Sequence, residues 1–156
     1  MVETHGTATH SPQFLLYGAN VYTGELTARL AVERGLKPIL AGRNADAIQS
    51  LANQLDLPWR IFSLDEPGSI DAAIADVVVI LHCAGPFWRT SSPMADSCLR
   101  TGTHYLDITG EIEVFEALAG RDDEARSANV LLLPGAGFDV VPTDCLAAHL
   151  HQKLPT

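Results

Sequence analysis

Between Phe14 and Leu26 the chain reads Phe14-Leu15-Leu16-Tyr17-Gly18-Ala19-Asn20-Val21-Tyr22-Thr23-Gly24-Glu25-Leu26, and this stretch restricts the fold more than any other. An apolar run breaks at Gly18 and helical spacing follows, so a strand passes through a tight turn into a helix. When such a turn opens a β-α-β unit, its backbone N–H groups and the helix N-terminus face one point, which suits a pyrophosphate. Gly18, Ala19, Asn20, Val21, Tyr22 and Thr23 are therefore candidate dinucleotide contacts. The spacing is G-x-x-G-x-x-G, with glycine at Gly18 and Gly24 but valine at Val21, where backbone approaches the phosphates most closely. Valine adds two methyl groups and is a poor occupant of positive φ, so the spacing predicts a shifted turn or weakened binding.

The pattern then repeats. Leu26 and Leu30 with Thr23, Thr27 and Ala31 make one helical face, and Gly35 can close that helix in the left-handed region. Pro38-Ile39-Leu40-Ala41-Gly42 reads as a second strand, Asn44 as an N-cap, and Ile48, Leu51, Ala52 and Leu55 as the inner face of the next helix. A third strand runs over residues 59–64, and Ile70, Ala73 and Ile74 mark a short helix. The β-branched run 77–83 is a central parallel strand, and Ser92-Pro93 a helix start. Residues 104–108 and 130–133 are the fifth and sixth strands, with helices at 111–118 and 121–127 between them. Six strands alternating with helices predict an α/β, doubly wound and mostly parallel six-stranded sheet in the order 3-2-1-4-5-6. Residues 1–12 read as a flexible N-terminal tail, and 13–156 as one Rossmann-like dinucleotide-binding domain.

In such a sheet, ligands sit at the strand ends beside the first turn. Arg43 follows the second strand, where NAD-specific sites keep an acid for the ribose 2′-hydroxyl; an arginine suits the 2′-phosphate of NADP. Asn44 stands beside it. Asp65 could accept from an adenine amino group or cap a helix. Ala84-Gly85-Pro86 could bring backbone close to the ribose and nicotinamide. Asp107, Thr109 and Glu111 offer acid–base groups, although capping by Thr109 and Glu111 is the simpler reading. His82 and His104 read as core or edge histidines, and Gly135 and Gly137 as chain pressed against a cofactor ring or another domain. Neither a Ser/His/Asp constellation nor a metal-ligand spacing is present in the sequence, so the catalytic residues stay unassigned.

Composition narrows the partners. Ten basic against 19 acidic residues, net −9, argue against a nucleic-acid or anionic-membrane surface. The apolar runs are too short for a bilayer span, residues 1–13 lack the apolar core of a signal peptide, and a cytoplasmic location is expected. Cys83, Cys98 and Cys145 are odd in number and widely spaced, which predicts buried free thiols.

Taken together, the motifs resemble those of the saccharopine dehydrogenase-like oxidoreductases, a family that includes trans-acting enoyl reductases. Gly18-Ala19-Asn20-Val21-Tyr22-Thr23-Gly24 is similar to its G-A-x-G-Y-T-G, and Ala41-Gly42-Arg43 to its A-G-R. Cys83-Ala84-Gly85-Pro86-Phe87, then residues 104–111, then Gly137-Phe138-Asp139 with Pro142 and Asp144, follow in the family's order. The chain departs from the pattern at Val21 and at Thr90-Ser91, where the family shows Tyr-Gly. The resemblance implies an NADP-binding Rossmann domain whose hydride transfer is completed by a substrate and dimerisation domain absent from these 156 residues. It also implies a small-molecule substrate, a possible homodimer in full-length form, and no turnover by this chain alone. The alternative is a non-catalytic scaffold or partner-binding module with weakened or lost cofactor binding.

Overall fold

The computed structural model describes residues 3–5 and 14–154. The strands are β1 (Glu3–His5), β2 (Phe14–Tyr17), β3 (Ile39–Gly42), β4 (Trp59–Ile61), β5 (Val79–His82), β6 (His104–Asp107) and β7 (Leu132–Leu133), and apolar residues dominate the central ones. They lie side by side in the order β1-β4-β3-β2-β5-β6-β7. Strands β2 to β7 pair in parallel, so the expected doubly wound order is present. The tail expectation fails at one place: β1 pairs antiparallel with β4, Glu3 opposite Ile61 and His5 opposite Trp59. Three polar residues leave no periodicity to read, and the edge of β4 supplies the pairing. The rest of residues 1–12 lies outside the described residues. Strand β7 is shorter than the expected 130–133, and β4 ends at Ile61 rather than at residue 64.

Seven helices connect the strands: α1 (Tyr22–Glu33), α2 (Ala45–Leu55), α3 (Pro67–Ile74), α4 (Phe87–Thr101), α5 (Ile112–Ala119), α6 (Asp122–Ala128) and α7 (Val141–Lys153). The sheet is covered on both faces. On one face Leu16 and Leu40 pack against Ala28 of α1 and Ile48, Leu51 and Ala52 of α2. On the other, Leu15, Ile39, Ile80 and Tyr105 meet Ile70 and Ile74 of α3, Met94 and Cys98 of α4, and Val114 and Leu118 of α5.

Helix α1 turns a different face inward from the one its leucines suggest. Gly24, Ala28 and Ala31 are buried, while Leu26 and Leu30 face solvent. The reason is closeness: a Cβ on Gly24 would collide with the Gly18 carbonyl oxygen, so only small residues let α1 lie this near the turn. Cys145, expected buried, lies exposed on α7, whereas Cys83 and Cys98 are buried.

Candidate functional site

At the carboxyl ends of β2, β3, β4 and β5 the connections part to leave a cleft of about 410 Å³. Its floor is Tyr17 and the turn after it. Gly18 takes φ +80°, and a Cβ there would come within 2.8 Å of the Ala84 nitrogen and Cβ, so this glycine is required where the turn presses on the exit of β5. The amides of Gly18 and Ala19 donate to the Ala41 carbonyl at 2.8 and 3.1 Å, and Val21 N–H donates to the Gly18 oxygen at 3.1 Å. Among the described residues, no acceptor meets the amides of Asn20, Tyr22 or Thr23. These are the unsatisfied donors of a helix start, and they carry its positive dipole end.

Val21 corrects part of the sequence reading. It is the N-cap of α1 with φ −87° and ψ 163°, extended backbone open to any residue, so the turn does not need positive φ there. What is left of the argument is bulk: Val21 is 37% exposed and its side chain lines the cleft.

One wall carries Gly42, Arg43 and Asn44 from β3 and the start of α2, with Ser63, Leu64 and Asp65 beyond β4. Asn44 caps α2 as expected, its Oδ1 accepting from Ala47 N–H at 3.2 Å. Arg43 is exposed and forms no ion pair among the described residues. Asp65 does not cap α3, whose N-cap is Glu66; its carboxylate accepts from Ser63 Oγ at 2.7 Å. The facing wall is Ala84-Gly85-Pro86 with Arg89, Thr90 and Pro93 of α4. Nine sequence candidates thus meet in one cleft: Gly18, Asn20, Val21, Arg43, Asn44, Asp65, Ala84, Gly85 and Pro86. Ala19 is buried beneath the turn, Tyr22 is 85% exposed and points away, and Thr23 faces solvent outside the lining.

Sequence reasoning missed the α4 wall, because α4 begins at Phe87 and not at Ser92-Pro93. Its cap comes from elsewhere: the Glu111 carboxylate accepts from Phe87 N–H at 2.8 Å and from Trp88 N–H at 2.6 Å. Pro93 sits inside the helix, and with no N–H to give it leaves the Arg89 carbonyl without its intrahelical donor. Glu111 therefore caps the helix across from it instead of its own α5. Thr109 Oγ1 accepts from Glu111 N–H at 3.0 Å and steadies that reach. Asp107 is fully buried, accepting from Tyr105 OH at 2.6 Å, Thr109 N–H at 3.0 Å and Gly135 N–H at 2.9 Å. Gly135 and Gly137 press against Phe115 and Ile108, so each makes a tight contact within this fold.

Three buried titratable groups lie in or under the cleft, and burial holds each neutral. The Tyr17 hydroxyl is pushed up to about 12 and donates to the Phe62 carbonyl at 3.3 Å. The Cys83 thiol is also pushed up to about 12, and the His82 ring is pushed down to about 3. His82 Nε2 lies 3.0 Å from Thr90 Oγ1, whose hydroxyl donates to the Ala84 carbonyl at 2.8 Å; the imidazole must then be the donor to Thr90, which fixes its proton on Nε2. His104 is a half-buried edge residue whose Nδ1 accepts from Leu131 N–H. A neutral floor, an open helix end and an unpaired arginine are features that suit an anion.

A parallel α/β sheet with a glycine turn leading into α1 at its switch point defines a nucleotide-binding Rossmann-type domain. The sequence matches the NADP binding domain of saccharopine dehydrogenase over residues 14–133. The chain belongs to that family. It is 30% identical over 148 residues to a trans-acting enoyl reductase of Mycobacterium leprae, a match covering 90% of this chain and 35% of the relative. The chain thus spans about a third of the length of the curated relatives it matches. Apo saccharopine dehydrogenase (L-Glu forming) from Saccharomyces cerevisiae superposes with a TM-score of 0.72 at 17% identity, over 83% of this chain and 28% of that one. Citrobacter sp. triphenylmethane reductase complexed with NADP(H) superposes with a TM-score of 0.59, also at 17% identity, over 76% of this chain and 46% of that one. No helix among the described residues is long and apolar enough to cross a membrane.

Proposed function

We propose that the cleft holds NADP, with the pyrophosphate over Gly18, Ala19, Asn20 and Val21 at the α1 N-terminus, and that it serves hydride transfer completed elsewhere in a longer protein. Tyr22 and Thr23 contribute backbone amides and not side chains. Arg43 and Asn44 take the 2′-phosphate, Asp65 the adenine edge, and Ala84-Gly85-Pro86 the ribose and nicotinamide side. When bound, the nicotinamide would supply or accept the hydride; this chain's own residues bind and orient. The observation that carries the reading is the unpaired Arg43 guanidinium and the open Asn20 amide of the glycine turn, in one cleft. An arginine offers a planar fork to a phosphate where NAD sites place an acid.

Calorimetric titration of the 156-residue chain is expected to give tighter binding of NADP than of NAD. Arg43→Ala is expected to weaken NADP about tenfold or more, corresponding to roughly 1.4 kcal/mol, and to leave NAD almost unchanged. Equal losses for both nucleotides would make Arg43 a structural residue and end the NADP assignment. The Val21 side chain in the phosphate path weakens the site, so Val21→Gly is expected to tighten NADP several-fold. That same side chain favours the second reading, a scaffold that keeps the fold without the dinucleotide. A parent chain that binds neither nucleotide at millimolar concentration would select it.

A further inference from the structure

Most arginines of this acidic chain are committed. Arg29 holds Glu25, Arg60 holds Asp76, Arg100 holds Asp71, Arg121 holds Asp96 and Glu124, and Arg126 holds Asp122. Arg34, Arg43 and Arg89 form no ion pair among the described residues, and the latter two line the same cleft. With 19 acidic residues against 10 basic ones, two guanidiniums kept clear of carboxylates in one place need a reason, and Arg43 accounts for only one of them.

Arg89 stands in the first turn of α4, opposite Arg43, with the Gly18 turn between them. Strands β3, β2 and β5 are consecutive in the sheet, so the two walls are about two strand spacings, roughly 10 Å, apart. Pro86, Arg89, Thr90 and Pro93 share one helical face and all line the cleft. Of these, Thr90 is already engaged by Ala84, Pro86 and His82, and the prolines have no donor. Arg89 is the one side-chain donor on that wall with no engagement among the described residues. Val21 lines the same cleft, and its side chain is bulkier than the glycine that lets backbone close on phosphate oxygens.

We infer that Arg89 is a pyrophosphate contact, closing on the diphosphate of the bound nucleotide from the α4 wall. It supplies the charge-assisted hydrogen bonds that the valine turn cannot. The inference rests on the dinucleotide reading of the cleft and adds a division of labour: Arg43 reads the 2′-phosphate, Arg89 the diphosphate.

Two probes separate those roles, since ADP carries a diphosphate without a 2′-phosphate and adenosine 2′-phosphate carries the reverse. Titrations of the parent chain, Arg89→Ala and Arg43→Ala with ADP, adenosine 2′-phosphate, NAD and NADP are expected to cross. Arg89→Ala is expected to weaken ADP, NAD and NADP by a similar factor of about ten and to spare adenosine 2′-phosphate. Arg43→Ala is expected to do the opposite for the two short probes. Arg89→Lys, which keeps charge but loses the fork, should recover part of the loss. Unchanged ADP affinity in Arg89→Ala overturns the inference while leaving the dinucleotide reading intact, and if NAD and NADP then weaken together, Arg89 faces the nicotinamide side. A parent chain that binds none of the four probes at millimolar concentration overturns both. Matching thermal unfolding midpoints for parent and variants keep the comparison free of folding defects.

Discussion

Asp107 ties the end of β6 to the loop after β7 through a fully buried carboxylate. Its carboxylate collects three donors, Tyr105 OH and Thr109 N–H from its own stretch and Gly135 N–H from the loop after β7, with no solvent to share the task. Asp107→Ala would leave three buried donors unsatisfied, and since each costs roughly 1–3 kcal/mol, a loss of about 3 kcal/mol or more is expected in urea unfolding. A loss below about 1 kcal/mol would mean that water replaces the carboxylate. His82 makes a different demand. Its ring titrates at about 3 when folded, against about 6.5 in the unfolded chain. As pH falls the unfolded state takes the proton first, so the stability that neutral His82 contributes is complete above about pH 6.5 and is lost between there and about pH 3. At about pH 5 the loss is about 2 kcal/mol relative to neutrality, and it is expected to disappear in His82→Gln. A variant that keeps the full pH dependence would place it on other groups.

Among the elements, what could be read from sequence depended on how far away the deciding partner lay. Strands β2, β3, β5 and β6 show themselves as local apolar runs, and α2 carries its own cap in Asn44. Helix α4 does not: its cap is Glu111, 24 residues downstream of Phe87, while Ser92-Pro93 offers a complete local signal for a start that the fold overrides. Arg89 is not marked as a site residue in the sequence for that reason, since it precedes the expected helix start. Likewise the inner face of α1 is set by a contact with the Gly18 carbonyl, not by its leucines. Glu111→Ala is therefore expected to cost about 1–2 kcal/mol and to fray α4 back toward Ser92, seen as faster hydrogen exchange at residues 87–91. Exchange unchanged there would show that α4 starts without its borrowed carboxylate. Gly24→Ala, by contrast, forces α1 off the turn and is expected to cost roughly 2–3 kcal/mol.

For the molecule as a whole, the three cysteines serve as reporters. Burial pushes the thiols of Cys83 and Cys98 far above their ordinary values, while Cys145 sits exposed on α7. A thiol reagent at neutral pH is expected to label one cysteine per native chain promptly and the other two only at the rate of global opening. Prompt labelling of all three would mean that the sheet breathes on its own.

The borrowed cap also matters for whatever enters the cleft. Among the helices that begin at this edge of the sheet are α1 and α4, and each start attracts negative charge. At α4 the molecule has seated one of its own carboxylates, held there by two amides. At α1 the donors stay open. A visitor with several negative groups thus finds one berth taken and one free, and its direction of approach is settled by the occupied berth as much as by the vacant one.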